Sequence, residues 1–318
     1  MRHKILFLVS LFVFISVGTA IGSSNHVSIE TTTTPTPLAP EQILFDDFDY
    51  EAHDDPALSE NGWIIRTVDG WPGVPGAIWR EENVTFVDDP DEEDNRLMQM
   101  TSSTDGDVFY QTQVCQQRKF LEGTYASRVR FTDEPVTGPD GDNMVETFYL
   151  MSTPELETEP DYSELDFEYL PNGGWGIGGN VFFATTWETF QFEPWMADNT
   201  SDAIDESFEG WHTLVLQIAD GEANYFIDGE PFATHGDEYY PEVPMSMNYN
   251  LWFINGGQID STEVREYIEQ VDWAFFAGDM VLTPEDIETA VEALRDEDVS
   301  FTDTVPQWEP PLESECNL

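Results

Sequence analysis

Residues 162–169 read Y-S-E-L-D-F-E-Y, so Glu164, Asp166 and Glu168 alternate with Leu165, Phe167 and Tyr169. On an extended strand, residues two apart share a face. Three carboxyl groups then lie on one side and three apolar side chains on the other. Two such carboxyls can divide the work of breaking a glycosidic bond. One attacks as a carboxylate and the other donates a proton as a carboxylic acid, with tips ~5–5.5 Å apart when anomeric configuration is retained. A third carboxyl between them can hold the proton balance. Charges ~7 Å apart repel by roughly 2 kcal/mol at an effective dielectric of about 20, which is between one and two pKa units. That repulsion is expected to keep Glu168 protonated near neutrality while Glu164 stays ionised. On a straight strand the Cα atoms of Glu164 and Glu168 would be ~13 Å apart. A curved, twisted sheet is therefore needed to bring the two tips together.

Spacing alone does not make the case. Of 318 residues 64 are Asp or Glu, so acids at i, i+2 and i+4 arise by chance. They do so at Asp89, Asp91 and Glu93, in a turn-rich loop, and at Glu155, Glu157 and Glu159, between two prolines that discourage a central strand. At 164–168, unlike in those two stretches, large apolar residues fill both gaps. A solvated polar strand face is the bland alternative, and the intervening aromatic residues weigh against it.

The elements that must position these groups are short. Runs such as R-L-M-Q-M-T, M-V-E-T-F-Y-L-M and H-T-L-V-L-Q-I are separated by Gly, Pro, Asp and Asn. Several alternate apolar and polar residues, as half-buried strands do. Residues 211–232 carry two strands joined at A-D-G-E, a β-hairpin pattern. With almost no helical period, the chain reads as an all-β sandwich of two antiparallel sheets. One helix is expected late. Thr283 can cap it, Pro284 opens it, Glu285 and Asp286 suit its N-terminus, and Ile287, Ala290, Val291 and Leu294 mark one apolar face. The organisation expected is a signal peptide at 1–20, a Thr/Pro-rich linker at 21–42, the sandwich at 43–279, and a C-terminal helix with an extended tail at 280–318.

Composition limits partners. The formal charge is −53, and removing residues 1–20 takes away Arg2 and Lys4 and no acid, leaving −55. Such a charge argues against nucleic acid and anionic membranes as partners. With only two lysines, the surface reads as halophilic, since molar salt shortens the Debye length to roughly 3 Å. The rival reading is a calcium-rich surface; a structural calcium on the acidic loops has no nameable ligands. Scattered histidines, without H-E-x-x-H, a Cys cluster or G-x-S-x-G, speak against metal or serine hydrolases and supply no catalytic metal. Cys115 and Cys316 can pair in an exported chain, and the sequence leaves that open.

The triplet E-L-D-F-E resembles the E-[IL]-D-x-E signature of glycoside hydrolase family 16, the lichenase and laminarinase group, in its five-residue form. A-I-W-R-E-E-N-V-T-F at 77–86, E-G-T-Y-A-S-R-V-R-F at 122–131, W-H-T-L-V-L with N-Y-F-I-D-G-E, M-N-Y-N-L-W at 247–252 and E-Q-V-D-W-A-F-F at 269–276 are similar to further motifs, in family order. The resemblance implies a concanavalin-like β-jelly-roll with a concave cleft. It implies Glu164 as nucleophile, Asp166 as assisting residue and Glu168 as general acid/base. Asn250 and Trp252 match cleft positions, while Trp175 and Trp187 follow the triplet as further candidates. Tyr162 stands where lichenases carry Trp, Met151 stands near an expected aromatic residue, and the arginine that lichenases place before the widening strand has no clear partner in Y-Q-T-Q-V-C-Q-Q. These departures bear on linkage preference. The expected function is a secreted, monomeric hydrolase that needs no cofactor, held at the cell surface if the linker tethers it. It would cut internal β-1,3- or β-1,3-1,4-glucosidic bonds of a neutral β-glucan. The alternative is a lectin-like sandwich that binds sugar without cutting it.

Overall fold

The computed structural model describes residues 40–92, 95–153 and 157–317. The expected signal peptide and most of the expected linker lie outside the described residues.

Two antiparallel sheets are packed face to face. The first, the groove sheet, runs in the order Trp63–Ile65, Phe109–Gln116, Ser246–Phe253, Met144–Met151, Glu164–Leu170, Val181–Gln191 and Met196–Ile204. The back sheet runs Val84–Asp88, Arg96–Thr104, Arg265–Gly278, Gly123–Phe131, Gly210–Ala219, Glu222–Ile227 and Glu230–Gly236. Ile43–Asp46 lines up beside the second half of Arg265–Gly278, with Phe301–Asp303 outside it. This is the antiparallel sandwich that the short alternating runs imply.

The inner faces meet in an aromatic core. Leu165, Phe167 and Tyr169 are buried there, with Phe167 near Phe148 and Tyr225 and with Tyr169 stacked on Phe182. Burying an aromatic side chain stabilises the fold by roughly 1.5–3 kcal/mol. A one-residue slip of this strand would send all three to the other face, so the core fixes its register. The hairpin also forms as expected. Leu214 faces Ile227 across it, and Asp220 and Gly221 turn with positive φ.

The late helix spans Pro284–Asp296. Thr283 accepts from the Asp286 amide, and the Asp286 side chain accepts from the Thr283 amide, forming a capping box. Ile287 and Val291 pack on Phe45, Val215, Trp273 and Phe275, so the helix covers the outer face of the back sheet. Cys115 and Cys316 form a disulfide, which resolves the question the sequence left open. No helix of the described residues is long and apolar enough to cross a membrane.

Candidate active site

The Glu164–Leu170 strand lies between Met144–Met151 and Val181–Gln191, and its register runs without a shift on both sides. Unbroken alternation then holds Glu164, Asp166 and Glu168 on the face opposite the core. Their cross-strand neighbours follow from pairing. Glu164 sits between Met151 and Trp187, Asp166 between Tyr149 and Thr185, and Glu168 between Thr147 and Phe183.

All three carboxyls line one cavity of about 600 Å³, together with Trp71, Trp175, Trp187, Trp195 and Trp252. Their tips therefore face a groove and not the sandwich interior. Each has a neutral hydrogen-bond partner. The Tyr162 hydroxyl donates to Glu164 Oε2. Trp187 Nε1 donates to Asp166 Oδ2 at 2.9 Å. Thr185 Oγ1 donates to Glu168 Oε2 at 3.5 Å, a weak contact.

These surroundings raise all three carboxyls above their ordinary range. Withdrawal from water is the largest cause in each case. Glu164 is pushed up to about 8, with the Tyr162 hydrogen bond opposing the rise and the charges of Glu315 and Glu168 adding to it. Glu168 is pushed up to about 7, the bond from Thr185 opposing. Asp166 rises well above the usual range because it also faces Glu164 and Glu168. Both glutamates are thus raised toward neutrality. A fourth carboxyl, Glu315, comes from the C-terminal tail, has no counterpart in strand spacing, and adds its charge to the rise of Glu164.

The other residues singled out in the sequence also reach this face. Asn250 is buried in the floor, where its Oδ1 accepts from Thr147 Oγ1 at 2.7 Å, and it lines a small pocket with the three acids. Trp252 is 7% exposed and forms part of both cavities. Trp175 is 55% exposed on the rim, 5.7 Å from Phe183 between ring centroids. Trp187 orients Asp166 as well as lining the groove. Tyr162 is buried, edge-on to Phe190, and acts on Glu164 through its hydroxyl.

Several groove residues escaped the sequence reading. Trp71 is 54% exposed and stands 6.3 Å from Trp252 and 6.0 Å from Phe192, measured between ring centroids. Its setting, G-W-P-G, is a loop signal that hinted at a presented indole. Arg66 stacks on Trp79 and donates from Nη2 to the Trp71 carbonyl at 3.0 Å, so it holds that loop. An arginine therefore does stand at this end of the groove, supplied just after the Trp63–Ile65 strand. Among the described residues, no group of three or more His, Cys, Asp or Glu side chains is arranged to hold a metal ion.

Residues 76–274 match Glycosyl hydrolases family 16. Solved structures share the fold. A family 16 enzyme from the Bacteroides ovatus mixed-linkage glucan locus, in complex with the product G4G4G3G, is 14% identical with a TM-score of 0.56, covering 72% of this chain and 98% of its own. A laminarinase from Flavobacterium sp. is 16% identical with a TM-score of 0.51, covering 73% and 98%. The kappa-carrageenase from Pseudoalteromonas carrageenovora, in complex with an oligotetrasaccharide of kappa-carrageenan, is 14% identical with a TM-score of 0.51, covering 77% and 98%. No curated protein matches in sequence.

Proposed function

This chain belongs to glycosyl hydrolase family 16, and from that premise we propose that it is a secreted, retaining endo-β-glucanase acting on neutral β-1,3- or β-1,3-1,4-glucans. The observation that carries the reading is the line of three carboxyls, Glu164, Asp166 and Glu168, along the floor of an indole-rimmed groove.

In the proposed reaction, ionised Glu164 attacks the anomeric carbon. The bond from that carbon to the leaving oxygen breaks, and Glu168 gives its proton to that oxygen. A glycosyl ester on Glu164 results. Water then attacks the same carbon, Glu168 takes the proton from water, and the ester bond to Glu164 breaks. Tyr162 holds Glu164 by a hydrogen bond, and Asp166, on the same strand face, is the assisting residue beside it. Trp252, Trp175 and Trp71 offer ring faces to the apolar faces of pyranose units. The chemistry draws on carboxyl groups and water alone.

Neutral substrate is supported by charge. The solved relatives act on different polymers, so the fold does not choose among them. A chain near −55, with no Lys or Arg paired to Glu164, Asp166 or Glu168 among the described residues, repels an anionic polymer at low salt. Export is supported by the apolar run at 5–17 with a small-residue site at 18–20, and by a disulfide, which oxidising compartments favour.

The test is direct. The exported domain is incubated with lichenan, laminarin and agarose in high salt, and new reducing ends are counted. Release from a β-glucan that disappears in Glu164→Gln is the expected outcome. Binding without cleavage, unchanged in that variant, would leave only a sugar-holding sandwich.

A further inference from the structure

The last residues of the described chain are anchored far from the helix that precedes them. Cys316 is bonded to Cys115 on the Phe109–Gln116 strand of the groove sheet. Leu312 bridges to Arg118, and the Glu313 carbonyl accepts from Thr153 Oγ1 at 3.2 Å. Between these anchors Glu315 is turned inward and lines two of the three pockets that Glu164 borders among the described residues. Its Oε2 accepts from the Tyr149 hydroxyl at 2.8 Å and from Gln113 Nε2 at 2.7 Å. Its Oε1 stands 3.9 Å from Arg66 Nη1, outside hydrogen-bond range. Tyr149, Gln113 and Arg66 are all buried.

Placing a fourth carboxylate beside three others is unfavourable, through desolvation and repulsion alike. A tail held only as a strap could turn this side chain to water, as most acids of this chain are turned. Instead three buried polar groups from separate segments receive it, and a disulfide at the next residue holds it there. Oε1 accepts no hydrogen bond among the described residues, and the side chain lines the pocket wall. That is the arrangement of a binding wall.

We propose that the C-terminal tail is a working part of the groove, with Glu315 as a positioning residue for Glu164 and as the acceptor for a hydroxyl of an uncharged sugar bound beside it. This rests on the hydrolase reading of Glu164. The groups facing Glu164 are Tyr162, Asp166, Glu168, Tyr149 and Glu315, with Arg66 behind the last of these. Glu315 thus opposes ionisation of Glu164, and a sugar bearing a carboxylate or sulfate at this position is repelled.

Three variants separate the roles. Glu315→Gln keeps an acceptor and removes the charge, so the acid limb of kcat/KM moves to lower pH by roughly one unit, with KM on neutral oligosaccharides within about twofold of wild type. Glu315→Asp restores the wild-type limb. Glu315→Ala also loses the acceptor and raises KM by about 5–10-fold. Cys115→Ser with Cys316→Ser, which frees the tail, reproduces that rise. Calorimetry with laminaritetraose and a mixed-linkage tetrasaccharide, in a Glu164→Gln background, reads the same loss of affinity without turnover. An unmoved acid limb together with unchanged affinity in Glu315→Ala overturns the inference and leaves the hydrolase reading intact. A wild-type chain that cleaves no glucan sinks the hydrolase reading instead. In that case equal affinities of wild type and Glu315→Ala overturn the inference as well.

Discussion

Asp142 and Asp166 are both nearly closed to water, at 0% and 4% exposure, yet the chain treats them in opposite ways. Asp142 receives Arg265 Nε at 2.5 Å and Nη2 at 3.3 Å, the Tyr267 hydroxyl, and the Ile259 amide. Asp272, also buried, receives Arg128 at 2.6 Å and Arg295 at 2.7 Å. The groove carboxyls receive only Tyr162, Trp187 and Thr185, and among the described residues no Lys or Arg pairs with Glu164, Asp166 or Glu168. Cations are scarce here, 11 against 64 acids. Three of them, Arg265, Arg128 and Arg295, sit on buried acids that hold loops and strands together. Where an acid must exchange a proton, the cation is withheld and the carboxyl rises toward neutrality. A missing cation alone does not mark a reactive acid, since Asp46, Glu146 and Glu269 are also buried and raised with no Lys or Arg paired to them among the described residues; what sets Glu164, Asp166 and Glu168 apart is that they also line an open cavity.

The strongest way to break that comparison is Glu164→Gln. It is expected to lower kcat on a β-glucan by at least about 10⁴-fold, while the melting temperature stays level or rises because a repulsive group is gone. A drop of several degrees in a thermal scan would instead make Glu164 a structural acid. On the opposite side, Arg265→Leu leaves Asp142 buried and unpaired. That costs about 3–5 kcal/mol in urea unfolding, with kcat per folded molecule unchanged. A loss under about 1 kcal/mol would mean that Asp142 does not depend on its partner.

The pH dependence sharpens the contrast further. Glu164 and Glu168 titrate in the folded chain near 8 and 7, above the ordinary value of 4.5. Between these limits the folded chain binds more protons than the unfolded one. Their contribution to stability is full below about pH 4.5 and is lost as pH rises through about 7 to 8. Glu164→Gln should therefore flatten the fall of melting temperature across that window. For the same reason the bell of kcat/KM should centre between about pH 7 and 8, not near 4.5. A wild-type optimum near pH 4.5 would mean that the groove is wet and its acids ordinary. The smallest effect is expected at the rim, where Trp175→Ala removes one stacking face. KM should rise about 2–10-fold with kcat nearly unchanged.

Much of this could be seen in the residues. Leu165, Phe167 and Tyr169 demanded an apolar side, so the acids between them had to share the other. Thr283, Pro284 and Asp286 announced a helix start through local hydrogen bonding, which needs no distant partner. The ion pairs were not visible, because Asp142 and Arg265 are 123 residues apart and nothing local marks either. Trp71 and Arg66 were missed for a related reason. They lie near the first groove-sheet strand and before any motif, and only sheet pairing carries them to the acids.

Read alone, the chain determined which side of the strand carries carboxyls, since alternation is a property of extended backbone geometry. It also determined the sign of the charge and the cap of the helix. Folding decided how basic each carboxyl becomes, because that depends on water excluded by neighbouring strands and on charges brought from elsewhere. Glu315 makes the point. It lies 151 positions after Glu164 in the chain, and only the disulfide and the sheet place it where its field is felt.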